Sequence, residues 1–236
     1  MKAAVLRAHD APYGIEEVTL GALEASEVLV RIVGVGMCHT DMLLRGPAMA
    51  EALAPAILGH EGAGVVEAVG AAVTRARPGD HVLISFDSCG WCTPCLRGEP
   101  AYCTQFMARN VSGRRADGTT SATGADGEAI ANRWFGQSSF AEYSVATERN
   151  IVVVDRQLPP ELLGPLGCGL QTGAGAVLNE MRLAAGQSIA IFGAGAGGMA
   201  AVMAARRAGA GEIVVADPHP ARPGLAPRGR PPQSKL

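Results

Sequence analysis

The sequence predicts two units in series: a β-rich unit built as a small barrel or partly open sheet, then the start of a doubly wound α/β unit. Three observations carry this. Short runs of β-branched residues, punctuated by glycine and proline, recur from the N-terminus to Val154. After Pro159-Pro160 the pattern changes to a helical period rich in Ala, Leu and Met. Between residues 187 and 217, a strand, a glycine-rich turn, an Ala-rich helix and a second strand follow in order.

In the first unit, Lys2–Arg7, Ile15–Leu20 and Glu27–Val35 read as strands, the third long and β-branched enough to be buried. Gly62–Val69 and His81–Ser85 follow, joined by the turn Arg77-Pro78-Gly79-Asp80, with His81 read as a strand residue and not a ligand. Residues 108–133 are polar and glycine-rich and read as one long surface loop, with Arg114-Arg115 solvated. Trp134 and Phe135 restore order, either as core or as the lining of an apolar pocket. Ile151–Val154 is a further strand, and Thr172–Arg182 reads as helix.

The bulk numbers exclude several classes. Net charge is −2 and the pI near 6.2, so neither nucleic acid nor an anionic membrane finds an electrostatic footprint. No stretch approaches the ~18 apolar residues of a membrane span, and the N-terminal apolar run is too short for a signal-peptide core. Four of the six cysteines are clustered; without an export signal this means metal before disulfide, and a cytoplasmic setting.

Two sets of residues have metal-binding chemistry. His60-Glu61 opens a glycine-punctuated apolar run, Gly59 to Gly70. Alone, such a pair reads as a surface feature. With Cys38 upstream and Cys168 downstream, it gives one histidine and two cysteines, which leave a tetrahedral zinc with one open position. Cys89, Cys92, Cys95 and Cys103, spaced C-x2-C-x2-C-x7-C with turn residues between, suit a closed four-thiolate zinc site. An iron–sulfur cluster uses similar runs and stays an alternative.

The turn Gly193-Ala194-Gly195-Ala196-Gly197-Gly198 is G-x-G-x-x-G between a strand and a helix, and Asp217 follows its first glycine by 24 residues. That is the context of a dinucleotide site, with pyrophosphate at the helix N-terminus. An acid at that place accepts a ribose 2′-OH and repels a 2′-phosphate, so NAD is expected over NADP. Beyond Asp217 the pattern stops: six prolines fall within residues 218–232, and only two strands of a doubly wound sheet precede them.

Together these residues resemble the zinc-dependent, medium-chain alcohol dehydrogenases over residues 1–217. Phe135-Gly136-Gln137-Ser138-Ser139-Phe140 and Gly164 through Gly173 are most similar to the aryl (benzyl) alcohol dehydrogenase branch. The resemblance implies a GroES-like, partly open β-barrel catalytic domain over 1–160, with a structural zinc lobe at 88–104. An incomplete Rossmann NAD-binding domain would follow over 161–217, then a Pro/Arg-rich tail over 218–236. It implies two Zn²⁺ per chain and NAD as cofactors, and a primary, aromatic or allylic alcohol and its aldehyde as substrate pair. Cys38, His60 and Cys168 match the catalytic zinc ligands, and Glu61 the acid beside the zinc. Asp41 matches the group that orients the histidine, and Thr40 the hydroxyl that relays the proton. His39 and Thr172 match cofactor contacts, alongside Gly193, Gly195, Gly198 and Asp217. Cys89, Cys92, Cys95 and Cys103 match the structural zinc ligands. Leu43 stands where some relatives carry a second relay group, a histidine.

Intact relatives form homo-oligomers. For this chain a half-built parallel sheet predicts an exposed apolar edge, aggregation or weak NAD binding. Two rival readings follow from the same residues: a zinc-binding fragment without catalysis, and a four-cysteine module for nucleic acid. The second needs a Lys/Arg cluster around 89–103, which is lacking.

Overall fold

The computed structural model describes residues 1–43, 46–219 and 222. They fall into two compact units, Met1–Gly167 and from Cys168 onward.

The first unit begins with strands β1 (Lys2–Leu6), β2 (Gly14–Glu17), β3 (Thr19–Leu20) and β4 (Glu27–Val35). Helices α1 (His39–Leu43) and α2 (Pro47–Leu53) precede β5 (Ala56–Ile57), β6 (Gly62–Val69) and β7 (His81–Ile84). Then come α3 (Thr93–Leu96), α4 (Phe106–Asn110), β8 (Ala122–Thr123), β9 (Ala129–Ile130), β10 (Tyr143–Thr147) and β11 (Ile151–Val154).

The main sheet has five antiparallel strands in the order β10-β4-β6-β7-β11. Its buried face carries Val28, Val30, Val66, Val82, Ile84, Ala146 and Ile151. The β4–β6 ladder slips twice, between Leu29 and Val30 and between Ile32 and Gly34. Such bulges bend and twist a strand pair, as a closing sheet requires. Two three-stranded sheets, β2-β1-β5 and β3-β8-β9, complete the unit. A second core, Ala3, Val5, Val18, Ile57, Ala122 and Ile130, joins these two sheets, and a third gathers Leu6, Ala56, Leu58, Ala131 and Trp134.

Three expectations are corrected. The expected strand over 15–20 breaks at Val18, which is buried and turns its N–H to the Met1 carbonyl. Residues 108–133 are not one surface loop: β8 and β9 pair with each other and β8 with β3. Arg115 in that segment is not solvated. Its guanidinium donates to both carboxylate oxygens of Glu27, at 2.8 and 2.7 Å, and Glu27 is 1% exposed. Arg133 adds a second buried cation, 3.6 Å from Glu27 Oε1. A carboxylate at the start of a core strand needs such partners to remain ionised.

The second unit holds α5 (Gly169–Gly175), β12 (Ser188–Phe192), α6 (Ala196–Arg207) and β13 (Glu212–Ala216). The helix expected over 172–182 starts earlier and stops sooner: α5 begins at Gly169, continues as a π-helix over Ala176–Glu180, and ends before Arg182, which takes φ of 50°. β12 and β13 pair in parallel, and α6 packs Val202, Ala204 and Ala205 against Ile189 and Ile191. This is the strand–turn–helix–strand order read from the sequence. The Pro/Arg-rich segment lies outside the described residues apart from Pro218, His219 and Arg222.

Candidate active site and metal centres

In the first unit, β4 runs into the loop that carries Cys38, and α1 follows at once with His39, Thr40 and Asp41. His60 and Glu61 sit just before β6. The β4–β6 ladder pairs Val35 with Gly62, so the two ends carrying Cys38 and His60-Glu61 meet at one end of the sheet. The ligand atoms of Cys38, His60 and Glu61 all lie within 4.8 Å of one another.

His60 is 1% exposed and its Nδ1 lies 2.9 Å from Asp41 Oδ1. The same oxygen accepts from the Gly59 N–H and the Trp134 Nε1–H, each at 3.1 Å. An imidazole that donates through Nδ1 turns a lone pair on Nε2 outward, the form a metal takes up. Asp41 Oδ2 is buried with no hydrogen-bond partner among the described residues. A buried carboxylate with one unsatisfied oxygen calls for positive charge nearby. Burial pushes the Cys38 thiol up, but the Thr40 N–H and hydroxyl and the His60 ring outweigh it, so its pKa lies below that of an ordinary thiol. Cys38 Sγ is 3.6 Å from Thr40 Oγ1. The donor set, the held imidazole and the orphaned carboxylate oxygen all fit a bound cation. His39, the first residue of α1, is exposed.

Trp134 and Phe135 both pack with the third core, as one of the two expected roles had it. Trp134 is core and also holds Asp41. Phe135, with φ of 50°, stacks its ring on His60 at 4.9 Å. A cavity of about 460 Å³ opens elsewhere in the unit, lined by Ala3, Tyr13, Ile32, Val35, Met37 and Phe140 among others.

The four-cysteine lobe closes around α3. Cys89 Sγ lies 3.9 Å from Cys95 Sγ, and Cys92 Sγ 4.0 Å from Cys103 Sγ. Four sulfurs about 2.3 Å from a common centre stand about 3.8 Å apart, whereas a disulfide needs about 2.05 Å. The spacing fits a single tetrahedral ion and is too tight for the several atoms of an iron–sulfur core. Backbone N–H groups of Cys89 and Gln105 point at Cys103 Sγ, and that of Cys92 at Cys89 Sγ. The Cys95 and Thr104 N–H groups bring the Cys92 thiol down to about 6, while burial pushes Cys95 up to about 11. Partial charges aimed at the sulfurs stabilise thiolate, the form that binds metal.

Cys168 opens the second unit as the N-cap of α5, one peptide bond beyond Gly167. Thr172 lies in α5 and its hydroxyl donates to the Cys168 carbonyl at 2.9 Å. Gly193 takes φ of 99°, a left-handed value that favours glycine, and Gly195 is the N-cap of α6. A Cβ on Gly198 would run into the Gly193 carbonyl, so turn and helix meet this closely only with glycine at 198. Asp217 follows β13; its Oδ2 accepts the Ala194 N–H at 2.7 Å and its Oδ1 the His219 N–H at 2.7 Å. The expected acid is thus joined to the glycine turn itself.

The family profile described as "Alcohol dehydrogenase GroES-like domain" matches residues 24–156, more than half of the chain. The chain belongs to the alcohol dehydrogenase family. Among its relatives in that family, a geraniol dehydrogenase of Castellaniella defragrans is 48% identical over 226 residues, covering 95% of this chain and 60% of the relative. The crystal structure of an alcohol dehydrogenase zinc-binding domain protein from Burkholderia ambifaria superposes with a TM-score of 0.92 at 52% identity. That of benzyl alcohol dehydrogenase from Acinetobacter calcoaceticus superposes with a TM-score of 0.88 at 42% identity. Each match covers 95% of this chain and 60% of the other, so the chain spans about 60% of the length of the alcohol dehydrogenases it matches.

The fold these matches describe agrees with the expected GroES-like domain followed by part of a Rossmann domain. Among the described residues, no helix is long and apolar enough to cross a membrane. The sequence reading singled out Trp134 and Phe135 as residues but not their contacts, the Trp134 N–H on Asp41 and the Phe135 ring on His60, and it gave Gln137 no role. The glycine at 136 marks a turn, but nothing in the composition marks a non-glycine φ of 50° beside it.

Proposed function

We propose that the whole protein is a zinc-dependent alcohol dehydrogenase that oxidises a primary aromatic or allylic alcohol to its aldehyde with NAD. The observation that carries this is the convergence of Cys38, His60 and Glu61, with His60 held by Asp41. We assign Cys38, His60 and Cys168 as ligands of a catalytic zinc, with Glu61 beside them. Cys168 follows Gly167, whose carbonyl accepts from Ser85 Oγ at 2.8 Å. Cys89, Cys92, Cys95 and Cys103 are assigned to a second, structural zinc.

When bound, zinc supplies a Lewis acid that acidifies an alcohol hydroxyl, and the nicotinamide supplies the hydride acceptor. The chain's own residues set the rest. Asp41 fixes the ring orientation and tautomer of His60. Thr40 Oγ1, next to Cys38, takes a proton from the substrate hydroxyl and passes it to solvent, since Leu43 offers no further relay. Gly193, Gly195 and Gly198 admit a pyrophosphate to the N-terminus of α6, with His39 and Thr172 as further cofactor contacts. Asp217, whose carboxylate is bonded to the Ala194 N–H of the glycine turn, is assigned to the ribose hydroxyls, a reading that favours NAD over NADP.

We assign residues 1–160 to the catalytic domain and 161–217 to the nucleotide domain. We place the protein in the cytoplasm, as a homo-oligomer in its intact form. The names of two relatives supply candidate substrates, geraniol and benzyl alcohol.

Zinc analysis of the purified chain, with NAD reduction assayed on both alcohols in this chain and in a full-length version, tests the proposal. Two zinc ions per chain, with full-length turnover abolished by His60→Ala, is the expected result. Turnover that survives Cys38→Ala or His60→Ala would sink it.

A further inference from the structure

Gln137 is wholly buried and all of its amide is engaged. Its Oε1 accepts from the Gly62 N–H at 3.0 Å and from Ser139 Oγ at 2.7 Å. Its Nε2 donates to the His60 carbonyl at 2.8 Å and the Ser85 carbonyl at 3.3 Å. The orientation of the amide is not ambiguous: a backbone N–H can only donate, and the two carbonyls can only accept. The side chain therefore clasps the peptide groups on both sides of Glu61 and joins them to the end of β7. Ser85 in turn holds the Gly167 carbonyl through its hydroxyl, at 2.8 Å. One amide thus links the backbone of His60-Glu61 to the strand end that grips the residue before Cys168.

The surroundings are built to deliver this amide. Phe135, Gly136 and Ser138 all have positive φ, at 50°, 68° and 55°, an uncommon run for a segment with two non-glycine members. Ser144 Oγ donates to the Gln137 carbonyl at 2.6 Å, and Ser138 Oγ to the Ile57 carbonyl at 2.6 Å. A Cβ on Gly62 would run into Ser139 Oγ, so the strand comes this close only as glycine. A bent segment held at several points around one buried amide is costly to keep unless the amide has a task.

We propose that Gln137 is a positioning residue of the His60 metal site: it sets the distance between His60-Glu61 and the Ser85–Gly167 pair before any ion arrives. The inference rests on the zinc reading above. It predicts that the ion affinity of that site, and not of the four-cysteine lobe, depends on the two N–H groups of Gln137.

Two variants of the full chain test this. Gln137→Glu keeps volume and acceptor oxygen but loses both donated N–H groups; Gln137→Leu loses all four bonds. Zinc affinity of the His60 site is read by competition with a chromophoric chelator, and ligand geometry by the visible spectrum of the Co²⁺ form. Zinc retained by the lobe serves as the check on folding. The expected result is a loss of about 10- to 100-fold in affinity at the His60 site for both variants, a shifted Co²⁺ spectrum, and one lobe zinc retained. Affinity within twofold of the parent with an unchanged spectrum overturns the inference. So does loss of lobe zinc in both variants, which makes Gln137 a general folding residue. A parent chain that binds one ion only overturns the zinc reading and this inference with it, and that failure is visible before any variant is made.

Discussion

Asp41 Oδ1 lies 2.9 Å from His60 Nδ1, and both side chains are buried. Two further donors, the Gly59 N–H and the Trp134 Nε1–H, share that oxygen. Asp41→Asn keeps the shape but removes the charge that holds the imidazole as an Nδ1–H donor. Zinc affinity at the His60 site is expected to fall by about 10- to 100-fold, with lobe zinc unchanged. Chelator competition measures both in one titration, and equal affinity in parent and variant would refute the role given to Asp41.

The lobe makes a different demand. Its four sulfurs stand at the separations of a tetrahedral ion, and its surface carries exposed Trp91, Leu96 and Tyr102 where a core would otherwise be. A metal bound there, as proposed, would supply folding free energy that few apolar contacts can replace. Cys92→Ser is expected to lower zinc content by one ion per chain and to lower the melting temperature, seen by metal analysis and thermal circular dichroism. An unchanged melting temperature would mean that the lobe folds without its ion.

Glu27 ties stability to acid pH. Burial raises its pKa, but hydrogen bonds from Arg115 and the Glu24 N–H, with the nearby Arg133 charge, outweigh that and leave it below the ordinary value of 4.5. A depressed carboxylate contributes stability that is fully present above the unfolded-state value and is lost as pH falls through the lower folded-state value. Glu27→Gln should therefore cost roughly 3–5 kcal/mol at pH 7, since Arg133 stays buried without its counter-charge. The gap between parent and variant should narrow below pH 4.5. Urea denaturation at several pH values gives both numbers, and a gap independent of pH would remove Glu27 as the cause.

Asp217 offers a test of cofactor choice. Its Oδ2 accepts from the Ala194 N–H of the glycine turn, so the charge sits beside the segment proposed to hold the pyrophosphate. Asp217→Asn can keep an acceptor there while losing the charge. Relative affinity for NADP over NAD is expected to rise by about tenfold, or about 1.4 kcal/mol, measured by fluorescence titration in a chain that binds the cofactor. No change in that ratio would take cofactor discrimination away from Asp217.

Much of this was legible in the sequence because it depends on short-range patterns. β4 and β6 have the bounds their β-branched runs suggested, and the glycine turn lies between a strand and a helix as its spacing requires. Cysteine spacing sufficed to gather the lobe. What the sequence hid was long-range and polar. Arg115 looks like any surface arginine until β4 brings Glu27 under it, 88 residues away in the chain. Gln137 meets His60 across 77 residues, and Trp134 meets Asp41 across 93. Residue type shows that a side chain has a donor; only the folded chain shows which acceptor it reaches.

The chain has two tryptophans, and each stands at one of the two cysteine-bearing clusters. Trp134 is buried, with its indole N–H on Asp41 and Phe135 at its edge; Trp91 is 61% exposed, with the Arg109 cation over its ring. Their emission should therefore separate by colour: a blue component from the dry indole beside His60 and a red one from the wet indole on the lobe. If the two proposed centres take up ions, the two colours give each its own label-free reporter in the unmodified protein.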